Sequence, residues 1–189
     1  MTGGALHQSR RHGPMQRTDH GPDRTGGDLV AVRPSERTAS LPCDALLPSP
    51  AVRADRAVSI AAPAPVVFAW LRQLRVAPYS YDIVDNFGRR SPRERNPELV
   101  RLEVGQRFMT LFTLRSFVDG EQITLRSKGV AVTYRVRPEG AGSRLHARVL
   151  FAGPRPIARV LELGDRIMMR KQLLTLKSLA ERESAATLA

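Results

Sequence analysis

Apolar and polar side chains alternate with period two from residue 107 to residue 151, the repeat of strands with one buried and one wet face. Three turn signals set the register. Asp119-Gly120 is a two-residue hairpin turn that pairs Val118 with Glu121, Ser116 with Ile123 and Leu114 with Leu125. Lys128-Gly129 makes a second tight turn, pairing Leu125 with Val132 and Ile123 with Tyr134. PEGAGS at 138–143 makes a looser third turn, pairing Val136 with Leu145, Tyr134 with Ala147 and Val132 with Val149. All three agree on which residues share a face. One face carries Phe112, Leu114, Ile123, Leu125, Val130, Val132, Tyr134, Val136, Leu145, Ala147, Val149 and Phe151. The other carries Arg115, Thr124, Arg126, Thr133, Arg135, Arg137, Arg144, His146 and Arg148. The pattern predicts a four-stranded antiparallel meander, apolar on one side and basic on the other.

Before the meander, VRADRAVSI (52–60) alternates well enough for a strand. Pro63 and Pro65 suit the first turn of a helix, and Val67, Trp70, Leu71 and Leu74 then form one buried stripe. In the stretch that follows, Ser80 is an N-cap, Asp82 lies in the first turn, and Gly88 is a C-terminal stop, so 81–87 reads as a two-turn helix. Ser91-Pro92-Arg93-Glu94 repeats the start signal as a capping box. After the break at Pro154 and Pro156, residues 157–182 form a long helix with apolar positions at Ile157, Val160, Leu161, Gly164, Ile167, Met168, Leu173, Leu174, Leu176 and Leu179. Gly164 would allow close approach to whatever lies beneath it.

Residues 1–50 show no apolar periodicity and read as a disordered tail. The folding part is then a single domain over 51–184, with a short C-terminal tail at 185–189. The tail takes the one cysteine, Cys43, and three of the four histidines, His7, His12 and His20, which rules out an internal disulfide and argues against a zinc site. No cofactor or metal is expected. With no membrane span or signal peptide evident, the expected location is the cytoplasm. Charge alters the picture more. The net is +12, of which residues 1–45 contribute only +1, and 27 of the 30 basic residues are arginine. The predicted register puts Arg137 opposite Arg144 and Arg135 opposite His146, like charges facing each other. Arg135, Arg137, Arg144 and Arg148 are thus candidates for an anionic-partner surface, against the plainer reading of a solvated face.

The order of elements resembles the START-like, or SRPBCC, superfamily of helix-grip proteins, its polyketide cyclase/dehydrase and lipid-transport branch. The residues that carry the likeness are VSIAAPAPVVFAWLRQL (58–74), YSYDIVDN (79–86), LEVGQRF (102–108) and GDRIMMRKQLLTLKSLAER (164–182). The resemblance covers about residues 52–184. It implies an α+β fold in which a curved antiparallel sheet wraps around the C-terminal helix, with short helices between the first strand and the meander and an apolar pocket between sheet and helix. About five strands are clear, fewer than in the larger members.

Such a pocket would draw on Phe112, Leu114, Ser116, Val132, Val149, Phe151, Gly164, Ile167 and Met168, with Tyr134 as its outstanding polar group. Tyr134 either orients a ligand or is a core tyrosine bonded internally. Tyr79 and Tyr81 are candidate rim residues. Asp82 and Tyr134 are the candidates for acid/base work, and Asp82 reads more simply as a helix-start residue. No nucleophile motif, metal cluster or phosphate loop is present. The expected function is carriage or sensing of a small hydrophobic, lipid- or polyketide-like molecule. An aromatase/cyclase enzyme is the alternative, and an interaction module using the basic face is the third.

Overall fold

In the computed structural model of the chain, the residues described are Met1, 32–79 and 91–188. Two one-turn helices, α1 (Pro34–Thr38) and α2 (Pro42–Leu46), precede strand β1 (Val52–Ile60). Helix α3 (Ala64–Arg72) follows and tightens into a 3-10 turn at Gln73–Arg75. Then come β2 (Arg107–Phe108), β3 (Phe112–Val118), β4 (Gln122–Arg126), β5 (Val130–Glu139) and β6 (Gly142–Phe151), and the 34-residue helix α4 (Arg155–Leu188) closes the chain. The six strands form one open antiparallel sheet in the order β1-β6-β5-β4-β3-β2. The fold is α+β, a sheet with a long C-terminal helix laid on its inner face, an arrangement compatible with a helix grip.

Most of the predicted register is present. Leu125 pairs with Val132 and Ile123 with Tyr134, while Val136, Tyr134 and Val132 pair with Leu145, Ala147 and Val149. The first hairpin differs. Its loop is one residue longer than a two-residue turn, so Val118 pairs with Gln122, Phe117 with Ile123 and Ser116 with Thr124. A bulge between Leu114 and Ser116 then absorbs the extra residue and restores Leu114 opposite Leu125. The sheet has six strands rather than five because the two-residue β2 adds an edge strand. Ser91–Glu94, read as a helix start, is not helical, and the predicted helix at 81–87 lies outside the described residues.

The inner face of the sheet, α3 and α4 share one core. Val58, Phe68, Leu71, Leu114, Ile123, Leu125 and Leu145 pack with Leu173, Leu176 and Leu179 of α4. Trp70 is buried there as expected, and its indole N–H donates to Glu183 Oε2 at 2.8 Å, tying α3 to the end of α4. Gly142 is required by a close approach: a Cβ there would stand 2.3 Å from the carbonyl oxygen of Ile60. Gly164 is not such a position. It faces solvent, and a Cβ added there would meet nothing within 4 Å, so the expected close approach is absent.

Helices α1 and α2 overturn two expectations together. Residues 33–50 are not a tail but a cover on the outer face of the sheet. Leu41 and Cys43 are buried against Ala131 and Leu150, with Leu46 and Leu47 packed beside them. The Cys43 amide donates to Thr133 Oγ1 at 3.1 Å, and Thr133 and Thr124 are linked at 2.9 Å. The face expected to be wet is therefore dry at its centre, where Thr124, Thr133, His146 and Arg148 are all buried. Two one-turn helices carry no periodic signal long enough to read, and proline at the first turn of each is equally at home in a loop.

Candidate functional site

A cavity of about 250 Å³ lies between the inner face of the sheet and the N-terminal half of α4. Phe112, Val130, Val132 and Val149 form its floor, Met168 and Met169 its helix wall, and Pro78 with Met109–Leu111 its rim. Methionines on facing walls give a pocket that can reshape around an apolar guest, since the thioether chain is unbranched and polarizable. The rim is conformationally unusual. Met109 (φ 45°) and Thr110 (φ 63°) are left-handed without being glycine, and so is Tyr79 (φ 55°), next to Pro78. Each costs on the order of 1 kcal/mol or more, and such residues gather where the surroundings hold a particular shape. Here the hold includes a hydrogen bond from the Met109 amide to the Leu74 carbonyl at 2.9 Å.

Besides Thr110 at the rim, the polar residues that line the cavity are Tyr134, Gln172 and Asp165. The Tyr134 hydroxyl donates to Gln172 Oε1 at 2.6 Å, and the Gln172 amide nitrogen donates to the carbonyl of Pro78. Gln172 thus clasps β5, α4 and the rim together. Burial raises the Tyr134 phenol above its usual range, the Asp165 charge raises it further, and the bond to Gln172 only partly offsets this. That phenol keeps its proton. Asp165 is different. Its Oδ2 lies 3.1 Å from Arg56 Nη1 on β1, within ion-pair distance, yet neither atom makes an aligned hydrogen bond. The other nitrogen, Arg56 Nη2, donates to Glu162 Oε1 at 2.9 Å. Burial pushes the Asp165 carboxyl up to about 6; Arg56 opposes that and Glu162 adds to it.

Of the side chains predicted to line a pocket, Tyr134, Phe112, Val132, Val149 and Met168 do so. Tyr134 combines both of its sequence readings: it lines the cavity, and its hydroxyl is bonded within the protein. Leu114 and Phe151 are core residues away from the cavity, and Tyr79 is buried edge-on against Trp70, ring centroids 6.0 Å apart, rather than on the rim. Ser116 is half-buried beyond the β3 bulge and does not line it. Ile167 joins Gly164 on the solvent side. Tyr81 and Asp82 lie outside the described residues. Asp165, Gln172, Met109 and Met169 were missed. Ala158, Asp165, Met169, Gln172 and Leu176 recur at helical spacing and form the stripe that faces the sheet. The apolar residues Ile157, Val160, Leu161, Leu163 and Ile167 are 49–72% exposed, and they masked that stripe in the sequence.

The basic surface is largely consumed by internal pairing. Arg148 is fully buried, held by Asp55 at 2.8 Å, Asp44 at 2.7 Å and the carbonyls of Glu36, Arg37 and Ala39. Arg144 makes a two-pronged pair with Glu36 at 2.7 and 3.0 Å, and Arg135 pairs with Glu121 at 2.9 Å. Arg137 is exposed. The register is as predicted, Arg137 opposite Arg144 and Arg135 opposite His146, and carboxylates from α1 and the β3–β4 turn pair with Arg144 and Arg135. Among the described residues no helix is long and apolar enough to cross a membrane, and no group of three His, Cys, Asp or Glu side chains could hold a metal ion.

No protein-family model matches the chain, and no curated protein matches it significantly. Solved structures overlap it at low identity. A structural-genomics protein from Nitrosomonas europaea superposes with a TM-score of 0.48 at 13% identity, over 71% of this chain and 97% of its own. One from Nitrosospira multiformis gives 0.48 at 11%, over 71% and 99%. One from Mesorhizobium loti gives 0.47 at 16%, over 69% and 98%. These chains are of unassigned function, and overlap at this level adds no argument about the site.

Proposed function

We propose that the protein binds a small apolar molecule in the cavity between the sheet and α4, and that it acts as a carrier or sensor. The observation that carries this reading is the cavity itself: aliphatic, phenyl and thioether side chains line a space next to an otherwise close-packed core. The left-handed Met109 and Thr110 at the rim support it, since backbone strain of this kind accompanies shaped openings. The helix-grip arrangement and the resemblance to START-like proteins point to a lipid- or polyketide-like guest. At about 250 Å³ the guest is small, below the usual range for drug-sized ligands. A cyclase-type reaction would rest on Asp165, the carboxyl that lines the cavity among the described residues and whose proton exchanges near pH 6. The tyrosine cannot serve as a base because its phenol stays protonated.

The test uses N-phenyl-1-naphthylamine, a neutral apolar fluorophore, titrated into the full chain. One probe per chain is expected to bind with enhanced emission. Met168→Trp, which fills the helix wall of the cavity, should weaken binding by about tenfold or more. Binding unchanged by Met168→Trp would put the probe elsewhere and defeat the reading. Native mass spectrometry of the freshly purified protein should then reveal a co-purified small molecule.

A further inference from the structure

Asp165 is the feature of the cavity that an apolar guest alone does not explain. Two carboxylates, Glu162 and Asp165, share one guanidinium, that of Arg56, which is only 8% exposed. The triad carries one negative charge in excess. Glu162 takes the aligned hydrogen bond, so the excess sits on Asp165, whose Oδ2 has no aligned donor and whose side chain lines the cavity. The two polar side chains deeper in the cavity do not answer it: the Tyr134 hydroxyl is spent on Gln172, and the Gln172 amide on Pro78 and Met109. The charged or titratable groups facing Asp165 are Arg56 from β1, Glu162 from α4 and Tyr134 from β5, and the rim and β6 contribute Met109, Thr110 and Val149, which carry no charge.

We infer that the cavity selects apolar molecules bearing one basic nitrogen, the protonated amine pairing with Asp165 while the hydrocarbon part occupies the space between Val132, Val149 and Met168. This rests on the hydrophobic-ligand reading and narrows it. A cation supplies the missing counter-charge and the missing hydrogen-bond donor at once. An alcohol supplies only the donor, and a carboxylate of equal length would add a second unmatched charge. Burial that holds the carboxyl near 6 leaves it ionised at neutral pH, where an alkylamine is protonated.

The experiment displaces bound N-phenyl-1-naphthylamine from the full chain with decylamine, 1-decanol and decanoate near neutral pH. Decylamine should compete about tenfold better than either other chain, and the advantage should shrink as the pH falls through about 6 and Asp165 takes up a proton. Asp165→Asn should bring amine and alcohol within about twofold of each other, and Asp165→Glu should keep part of the preference. Equal competition by all three chains would overturn the amine inference and leave the hydrophobic-ligand reading standing. A preference for decanoate would also overturn it, making Arg56 the dominant charge. If neither the probe nor any chain binds, the cavity reading fails and this inference falls with it.

Discussion

A chain beginning at residue 51 is expected to lose on the order of 4 kcal/mol of stability, or to fail to fold, while one beginning at residue 32 keeps every contact described above. The shorter chain loses the apolar cover of Leu41, Cys43, Leu46 and Leu47 over Ala131 and Leu150, worth about 1.5–3 kcal/mol for each fully buried leucine. It also strips Arg148 of Asp44 and three backbone carbonyls and uncovers its guanidinium, which keeps Asp55 alone. Urea unfolding of the two chains measures the difference. Equal midpoints would mean that α1 and α2 rest on the sheet without contributing to its stability.

Arg148→Met carries the second large effect, a loss of about 3–5 kcal/mol, because removing one partner of a buried charge network leaves the others unpaired. Arg148 is 0% exposed and fans five hydrogen bonds from three nitrogens into four segments: β1, α1, the link at Ala39 and α2. Lysine cannot reproduce that planar fork, so Arg148→Lys should recover little of the loss. A double-mutant cycle decides whether the arginine works through the N-terminal cover. In the chain beginning at residue 51 the cost of Arg148→Met should fall well below its cost in the full chain. An equal cost in both backgrounds would assign the effect to the sheet instead.

The same network predicts how stability depends on acid. Burial alone would raise the Asp55 carboxyl, but hydrogen bonds from His146, Arg148 and Arg53 outweigh it and hold the group at about 2, against an ordinary 3.8. A folded-state value below the unfolded one means that the fold favours the ionised form. The contribution, about 2 kcal/mol, is complete above about pH 4 and disappears as the pH falls towards 2. Unfolding free energies measured between pH 6 and pH 2 should show this loss, and Asp55→Asn should remove that part of the slope. A wild-type profile as flat as the variant's would contradict the assignment.

Much of the architecture was legible because strand signals are local and redundant. Turn residues at 128–129 and 138–143 set registers that the sheet reproduces pair by pair, and one bulge between Leu114 and Ser116 was enough to correct the first hairpin. Arg56 lies on the same face of β1 as Val58 and is buried there. The cavity floor followed from the same alternation: Val132, Tyr134 and Val149 line it as their strand positions require. Helix α4 was harder. A helix has no built-in marker of which arc meets the sheet, and its most apolar arc over 157–167 is exposed. Hydrophobicity alone therefore rotated the reading away from Asp165 and Gln172.

The sequence by itself determined the run of strands into a long C-terminal helix, the inner and outer faces of β4, β5 and β6, and the position of Tyr134 on the inward face, since period two leaves no freedom once a turn is placed. Only the tertiary structure decided what the outer face meets and which face of α4 closes the cavity. Both depend on contacts between residues far apart in the chain, Arg148 with Asp44 in one case and Asp165 with Arg56 in the other. A charged side chain read alone looks solvent-facing; the partner that lets it be buried is supplied by another segment, and no local pattern announces the meeting.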